Sequence, residues 1–513
     1  MTMSNIDPVT LEILWTRLVS LVDEAAATLV RTSFSSIVRE SNDYAVVLLD
    51  RDCQLLAQSS QSIPSFICTL PNTIRRFLDV FPRETLRPGD VMITNDPWLG
   101  TGHLPDINVA MPIFRGEELV GFSGTVAHAA DIGGRLRSPS TAELFEEGLR
   151  IPRSKLISNG SVNETLVAII RDNVRVPDQV IGDLWAQVAA NRMLGQRLLD
   201  TLEETRCDLQ VVGSEMQARS ELAMRSAIEA VPDGVHENEI SVDGFVEPVT
   251  IRCRVEIIGD RVNVDFAGSS PQLPRAINVV PIYTFAYSAY TLKCVFSPTV
   301  PNNDGSFRAI KVSAPLGSIL NPRFPAAVSA RAMTGHLIPP AIMGALVGIV
   351  PDKVCAAPGS PLWCVHLAGA NGGKRFASTF FLNGGQGATS QADGLPTLSF
   401  PSNLSNTPIE VVETQAPVRI LRRALRGGTG GDGRHRGGDG QVFEMLMLGD
   451  EPITASFMAD RLKTPAPGLL GGGMGAVGRV LLDGAPIDPR EIQTIQPGAT
   501  LTLETPGGGG FGA

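Results

Sequence analysis

Cysteine is scarce and unpatterned: seven residues in 513, with no C-x-x-C and an odd count. That does not suit a disulfide framework, and reduced, mostly buried thiols in a cytoplasmic protein are expected. Aromatic residues make up only 5%. No run of five or more basic residues occurs, so no nucleic-acid partner is expected. No apolar run reaches the roughly 18 residues a membrane helix needs. The longest candidate, 338–350, is broken by Pro339, Pro340 and two glycines. The start, M-T-M-S-N-I-D-P, has neither a basic n-region nor an apolar h-region, so no signal peptide is expected. A G-x-S-x-G nucleophile elbow is missing. Gly372-Gly373-Lys374-Arg375 fails as a phosphate loop, because Ala368 stands where the first glycine belongs and Arg375 replaces Ser/Thr. The chain therefore has no nucleotide chemistry of its own in its motifs.

What is present is globular. Hydrophobic residues are 43%, charged residues 19%, and the net charge is −10, which favours solubility. At about 150 residues per domain, two to four domains are expected. The 52 glycines and 37 prolines concentrate in the second half with apolar residues between them. The expectation is a multi-domain α+β fold: N-terminal hairpins plus helices, then a Gly/Pro-rich, strand-rich C-terminal half. The divisions are 1–231, a metal-site hairpin and helical domain; 232–376, a mixed middle domain; and 377–513, a Gly-rich β domain.

Asp7-Pro8 opens a helix, with apolar residues at helical spacing to about Thr32. Hairpins are predicted at 44–58 and 249–266, and helices at 69–81, 164–171, 179–205, 209–230 and 282–294. From Glu143 to Val231 the pattern reads as helical. Residues 334–350 read as an interrupted helix.

The densest chemistry lies between Asn95 and Gly134, where His103, His128, Asp96, Asp106 and Asp131 share a short stretch of a chain with 6 histidines. A hairpin of 107–114 and 119–127, centred on Gly116-Glu117, pairs residues whose numbers sum to about 233. His128 then faces Pro105, beside Asp106, and a bend at Pro105 can bring in His103. Two imidazoles and a carboxylate suit Zn²⁺, Mn²⁺ or Fe²⁺ with open positions. Turn aspartates and strand-end histidines are the competing reading. Asp131 reads equally as a fourth ligand, a base on water, or the opening of a glycine turn. Glu146-Glu147 reads as a solvated helix end, His366 as a satisfied core histidine, and His336 as a cleft residue. The loop Gly427–Gly440, with Arg434 and Arg436, reads as tight turns before an anion cradle.

With those residues in place, the chain resembles the hydantoinase B/oxoprolinase family. The matching pieces are D-P-V-T-L-E-I, N-D-P-W, T-G-H-L-P-D-I, A-H-A-A-D-I-G-G, E-E-G-L-R-I-P, N-N-D-G-S-F-R, L-N-P-x-x-P-A-A-V, G-R-H-R-G-G-D-G and T-P-G-G-G-G-F-G. The resemblance implies a cyclic-amide hydrolase subunit in a hetero-oligomer. A hydantoinase A-type ATPase partner handles ATP/Mg and phosphorylates the ring carbonyl. It implies a divalent metal (Zn or Mn) on His103, Asp106 and His128, with Asp131 assisting proton transfer. Substrate contacts are expected at Asn95, Asp96, Phe66 and Arg331. Relatives carry I-P-V-H-L-G-x-M-P where this chain has Ile63-Pro64-Ser65-Phe66-Ile67-Cys68-Thr69-Leu70-Pro71, so Phe66 replaces a histidine. A more apolar pocket or a different substrate is implied. The alternatives are the alpha subunit of an ATP-dependent ketone carboxylase and a non-catalytic scaffold.

Overall fold

In the N-terminal helix Pro8–Thr32, Asp7 accepts the Thr10 N–H at 3.0 Å and proline begins the first turn. Its stripe of Leu11, Leu14, Leu18, Leu21, Val22, Ala25 and Leu29 is buried. The computed structural model describes residues 6–360 and 362–513. Met1–Asn5, which begin the stretch used to judge a signal peptide, lie outside it. Among the described residues no helix is long and apolar enough to cross a membrane.

A seven-stranded sheet organises the first part. Its strands are β1 (Tyr44–Asp50), β2 (Leu55–Gln58), β3 (Val91–Thr94), β4 (Asp106–Arg115), β5 (Glu118–His128), β6 (Ser154–Ser158) and β7 (Ser161–Val162). The order across the sheet is β2-β1-β5-β4-β3-β6-β7. Alternate residues of β1 leave by opposite faces. Tyr44, Val46 and Leu48 pack under the N-terminal helix and the long helices Pro177–Thr205 and Leu209–Glu229. Ala45, Val47 and Leu49 enter a second, larger core. Burial on both faces explains why β1 reads as an unbroken apolar run.

The central hairpin forms with a changed register. Near the turn Phe114 faces Leu119, in keeping with the sum of 233, but an irregularity between Ile113 and Phe114 shifts the rest by one. Asp106 therefore lies directly opposite His128. One other expectation is corrected, and one strand is additional. Residues 143–162 are not helical but carry a short 3-10 turn and the edge strands β6 and β7. A strand at Gly234–Val242, whose apolar positions are dilute, joins the hairpin Val249–Ile258/Arg261–Asp265 and the parallel strand Ile310–Ser313 in a four-stranded sheet.

The helices Pro281–Phe296 and Ile338–Leu346 share the larger core with that sheet. The C-terminal region holds two further sheets, one of four strands beginning with the hairpin Trp363–Asn371/Lys374–Leu382, one of five. Trp363, Phe380, Phe443, Phe457, Leu501 and Leu503 form the core shared by these two sheets. The whole is a multi-domain α+β fold. The glycine loops interlock by backbone: Gly508 N–H donates to Gly438 O at 3.0 Å and Gly510 N–H to Gly473 O at 2.9 Å. A Cβ on Gly430 would come within 1.7 Å of Gly437 O, so close backbone packing accounts for the glycine there.

Candidate metal centre

The pairing of β4 with β5 sets Asp106 and His128 side by side at the end of the hairpin. The bend through Gly102 brings His103 to the same point. Its Nε2 lies 2.7 Å from Asp106 Oδ1, and His128 Nδ1 lies 3.0 Å from the same oxygen. The ligand atoms of the three residues all lie within 4.8 Å of one another, and all three residues are buried. Gly102 has φ +103°, and a Cβ there would stand 2.9 Å from the Arg331 side chain, so both backbone and space require glycine.

Each member is held by a second contact. His103 Nδ1 is 3.1 Å from Ser329 O, which leaves Nε2 toward the cluster. Asp106 Oδ2 accepts from Thr101 Oγ1 at 2.6 Å and from Arg331 Nη2 at 2.7 Å. Arg331 also donates through Nε to Thr101 O at 3.1 Å and lies over the Tyr283 ring at 4.5 Å. Burial, then the Arg331 charge, holds His103 well below its usual range, so it is a neutral lone-pair donor. Burial alone would raise Asp106. The Arg331 guanidinium against its Oδ2 and the hydrogen bonds it accepts overcome that and hold it well below the carboxylate range. Neutral imidazole and ionised carboxylate are the forms a divalent ion takes.

Asp43 was not singled out from the sequence. It precedes β1, and His128 N–H donates to its carbonyl at 3.1 Å. Its Oδ2 lies 3.6 Å from His128 Nδ1, while Oδ1 is buried without a partner. Burial pushes its carboxyl up to about 6 against the opposing pull of His128. A buried carboxylate oxygen without a partner, on a side chain beside the His128 imidazole, is costly. A divalent ion among these atoms would remove that cost, so the residues present fit such an ion.

A cavity of about 30 Å³ opens onto the cluster, lined among others by Asp43, Ser65, His103, Asp106, Tyr287, Arg331 and His336. His336 Nε2 is 3.0 Å from the Tyr287 hydroxyl, and burial with the Arg331 charge lowers the histidine to about 3, so the pair is uncharged. Arg331 thus stands with the cluster, as a partner of Asp106. Phe66 is in the hydrophobic core, and at that point the cavity wall is Ile63 and Ser65. Asn95 spends its amide on backbone: Nδ2 donates to Leu104 O at 2.8 Å and Leu149 O at 2.9 Å, and Oδ1 accepts from Ile151 N at 2.6 Å. Asp96 caps Trp98 N at 3.0 Å and pairs with Arg150. Neither is among the residues lining this cavity. Asp131 is bound by Arg175, through Nη1 at 2.7 Å and backbone N at 2.5 Å, and lines a separate cavity behind His128.

Glu147 is not a solvated end. Its Oε1 accepts from Val328 N and Ser329 N, both at 2.8 Å, and from Thr141 Oγ1 at 3.1 Å, while Oε2 is buried without a partner. It thereby fixes the loop whose Ser329 carbonyl holds His103. Burial pushes its carboxyl from 4.5 up to about 7, against those hydrogen bonds. Between these values the folded chain binds a proton that the unfolded chain releases, so stability falls as pH rises from about 4.5 to about 7. The full effect is on the order of 3 kcal/mol. Glu147→Gln should remove that component, so the difference in unfolding free energy between variant and parent, measured by urea titration at several pH values, should change across this window and level off above it. A pH-independent difference would show that Glu147 keeps an ordinary pKa.

A family profile described as Hydantoinase B/oxoprolinase matches residues 7–513. The chain belongs to that family. It is 32% identical to the B component of a putative D-/L-hydantoinase of Pseudomonas sp. (strain NS671), over 99% of this chain and 90% of that protein. Among solved structures, the ATP-dependent caprolactamase from Pseudomonas jessenii superposes with a TM-score of 0.91 at 28% identity, covering 99% of this chain and 92% of the other. A nucleotide-free acetone carboxylase structure superposes with a TM-score of 0.86 at 19% identity, over 99% and 76% of the two chains, which is likeness of fold.

Proposed function

We propose that this chain is the B-type subunit of an ATP-dependent cyclic-amide hydrolase, acting on a hydantoin, lactam or 5-oxoproline-like ring in a hetero-oligomer. A hydantoinase A-type ATPase partner holds ATP/Mg and phosphorylates the ring carbonyl oxygen. The observation that carries the reading is the buried cluster of His103, Asp106 and His128 with the unpaired oxygen of Asp43 beside it. The names of the hydantoinase and caprolactamase relatives support the substrate class.

In this reading His103, Asp106 and His128 would hold zinc or manganese, with Asp43 beside His128 as a supporting carboxylate. When bound, such an ion supplies Lewis acidity and lowers the pKa of water. Arg331 keeps Asp106 ionised and oriented, and Ser329 O fixes the His103 tautomer. The uncharged Tyr287–His336 pair offers a hydrogen bond to a substrate oxygen without adding charge. Asp131 takes part in proton transfer only when released from Arg175. Overall, ring amide, ATP and two waters give the ring-opened acid (an amino acid from a lactam or 5-oxoproline-like ring, an N-carbamoyl amino acid from a hydantoin), ADP and phosphate. Phosphorylation is needed because an unstrained amide is a poor electrophile.

The test is ATP turnover by the chain with its partner on hydantoins, lactams and ketones. Ring-opened amino acids formed in step with ADP are expected. Carboxylated ketones would instead favour the carboxylase reading, and ATP turnover that needs no such substrate would leave a scaffold.

A further inference from the structure

A cavity of about 350 Å³ lies between the sheet that begins at Gly234 and the C-terminal sheets. Its walls are mostly apolar. Val242 and Phe245 line it from the end of the strand Gly234–Val242 and the loop that follows. Met333 enters from the helical turn Ala332–Gly335, and Leu462, Val480 and Ile487 from the C-terminal region. The volume falls in the range of small-molecule sites, which are apolar spaces with a few placed polar groups. It is separate from the small cavity at the cluster, which Arg331, Ala332 and His336 line.

Two buried polar side chains line the larger cavity. Thr334 is 1% exposed, and among the described residues its hydroxyl makes no hydrogen bond. Asp460 is buried as well, and its Oδ1 accepts from Trp363 Nε1 at 3.2 Å. Burial pushes the Asp460 carboxyl up to about 6. Above that value it is an anion in a poor solvent, which favours an N–H donor and disfavours a second negative charge. The charges at the rim are already engaged. Asp243 accepts from the backbone N–H groups of Leu462, Lys463 and Thr464. Asp488 pairs with Arg490 at 2.7 Å and Arg479 with Glu504 at 3.0 Å. Lys463 is exposed, and its charge helps to lower Asp488. The interior therefore offers an apolar volume, an unused hydroxyl and a carboxylate acceptor, with no call for a charged ligand.

We propose that this cavity binds a small uncharged molecule with an apolar body and a secondary amide head. The amide carbonyl accepts from the Thr334 hydroxyl, and the amide N–H donates to Asp460. A hydroxyl left unbonded in the interior is costly, and a ligand carbonyl completes it. An anion of the same shape meets the Asp460 charge and is turned away. The site goes beyond the hydrolase reading above and does not depend on it.

The experiment is calorimetric titration of the full-length protein with acetanilide, which joins a phenyl ring to a secondary amide. Phenylacetate, of the same size but negatively charged, is the parallel arm. Wild type should bind acetanilide at least about tenfold more tightly than phenylacetate. Thr334→Val keeps the side-chain shape without the hydroxyl and should weaken acetanilide about three- to tenfold. Ile487→Trp puts a large ring into the cavity from a half-buried position and should abolish binding. Thr334→Val should keep the wild-type melting temperature, so it remains informative if Ile487→Trp folds poorly. No acetanilide binding by wild type, phenylacetate binding as tight as acetanilide, or unchanged affinity in Thr334→Val would overturn the site.

Discussion

Replacing His128 by alanine is expected to reduce ATP-dependent ring opening by roughly a thousandfold or more, which at 1.36 kcal/mol per tenfold is about 4 kcal/mol. The same substitution should strip the divalent ion from the purified protein. The reason is geometric. His128 supplies one of only two imidazoles in the buried cluster, and its Nδ1 is 3.0 Å from Asp106 and 3.6 Å from Asp43. Without it, two carboxylates and one imidazole remain. The variant should still fold, since its backbone pairing with Asp106 does not depend on the ring. Asp43→Asn should be milder, weakening metal affinity about 10–100-fold, as changes at a metal's supporting groups do. Steady-state kinetics with the ATPase partner, alongside metal analysis, checks both. Undiminished turnover in His128→Ala would remove the cluster from the mechanism.

Arg331→Met should be the most destabilising change at the site, by about 3–5 kcal/mol in metal-free protein. Arg331 and Asp106 are both nearly fully buried, and their contact is 2.7 Å long. Removing the guanidinium leaves Asp106 with its charge in the interior and strands the Thr101 carbonyl. It also undoes the stacking on Tyr283, which ties residues 281–336 to the hairpin. Excess Mn²⁺ or Zn²⁺ should restore part of the loss, because an ion bound by Asp106 takes over the missing positive charge. Urea unfolding of the metal-free and metal-loaded variant measures this. A cost below about 1 kcal/mol would place the pair with exposed ion pairs of little worth.

Much of the site was legible because it lies in one hairpin. His103, Asp106 and His128 are close in sequence, and strand pairing converts near-symmetry about Gly116-Glu117 into contact. The one-residue error came from the irregularity at Ile113/Phe114, which no residue type announces. Asp43 was missed because it belongs to a different hairpin, and nothing local says that β1 lies beside β5. Glu147 was misread for a similar reason: its partners are backbone amides at 328 and 329, far along the chain. Asn95 and Asp96 look like site residues by composition, yet their side chains serve turns and backbone. The strand Gly234–Val242 was overlooked because its outward face is polar and its apolar positions begin late.

The most direct test is the metal itself. Protein purified without chelator should carry close to one zinc or manganese per chain by elemental analysis, and anomalous diffraction should place it among His103, Asp106 and His128. Protein that is fully active with its partner yet metal-free after chelation, or an ion bound elsewhere, would contradict the assignment of these residues as a metal centre.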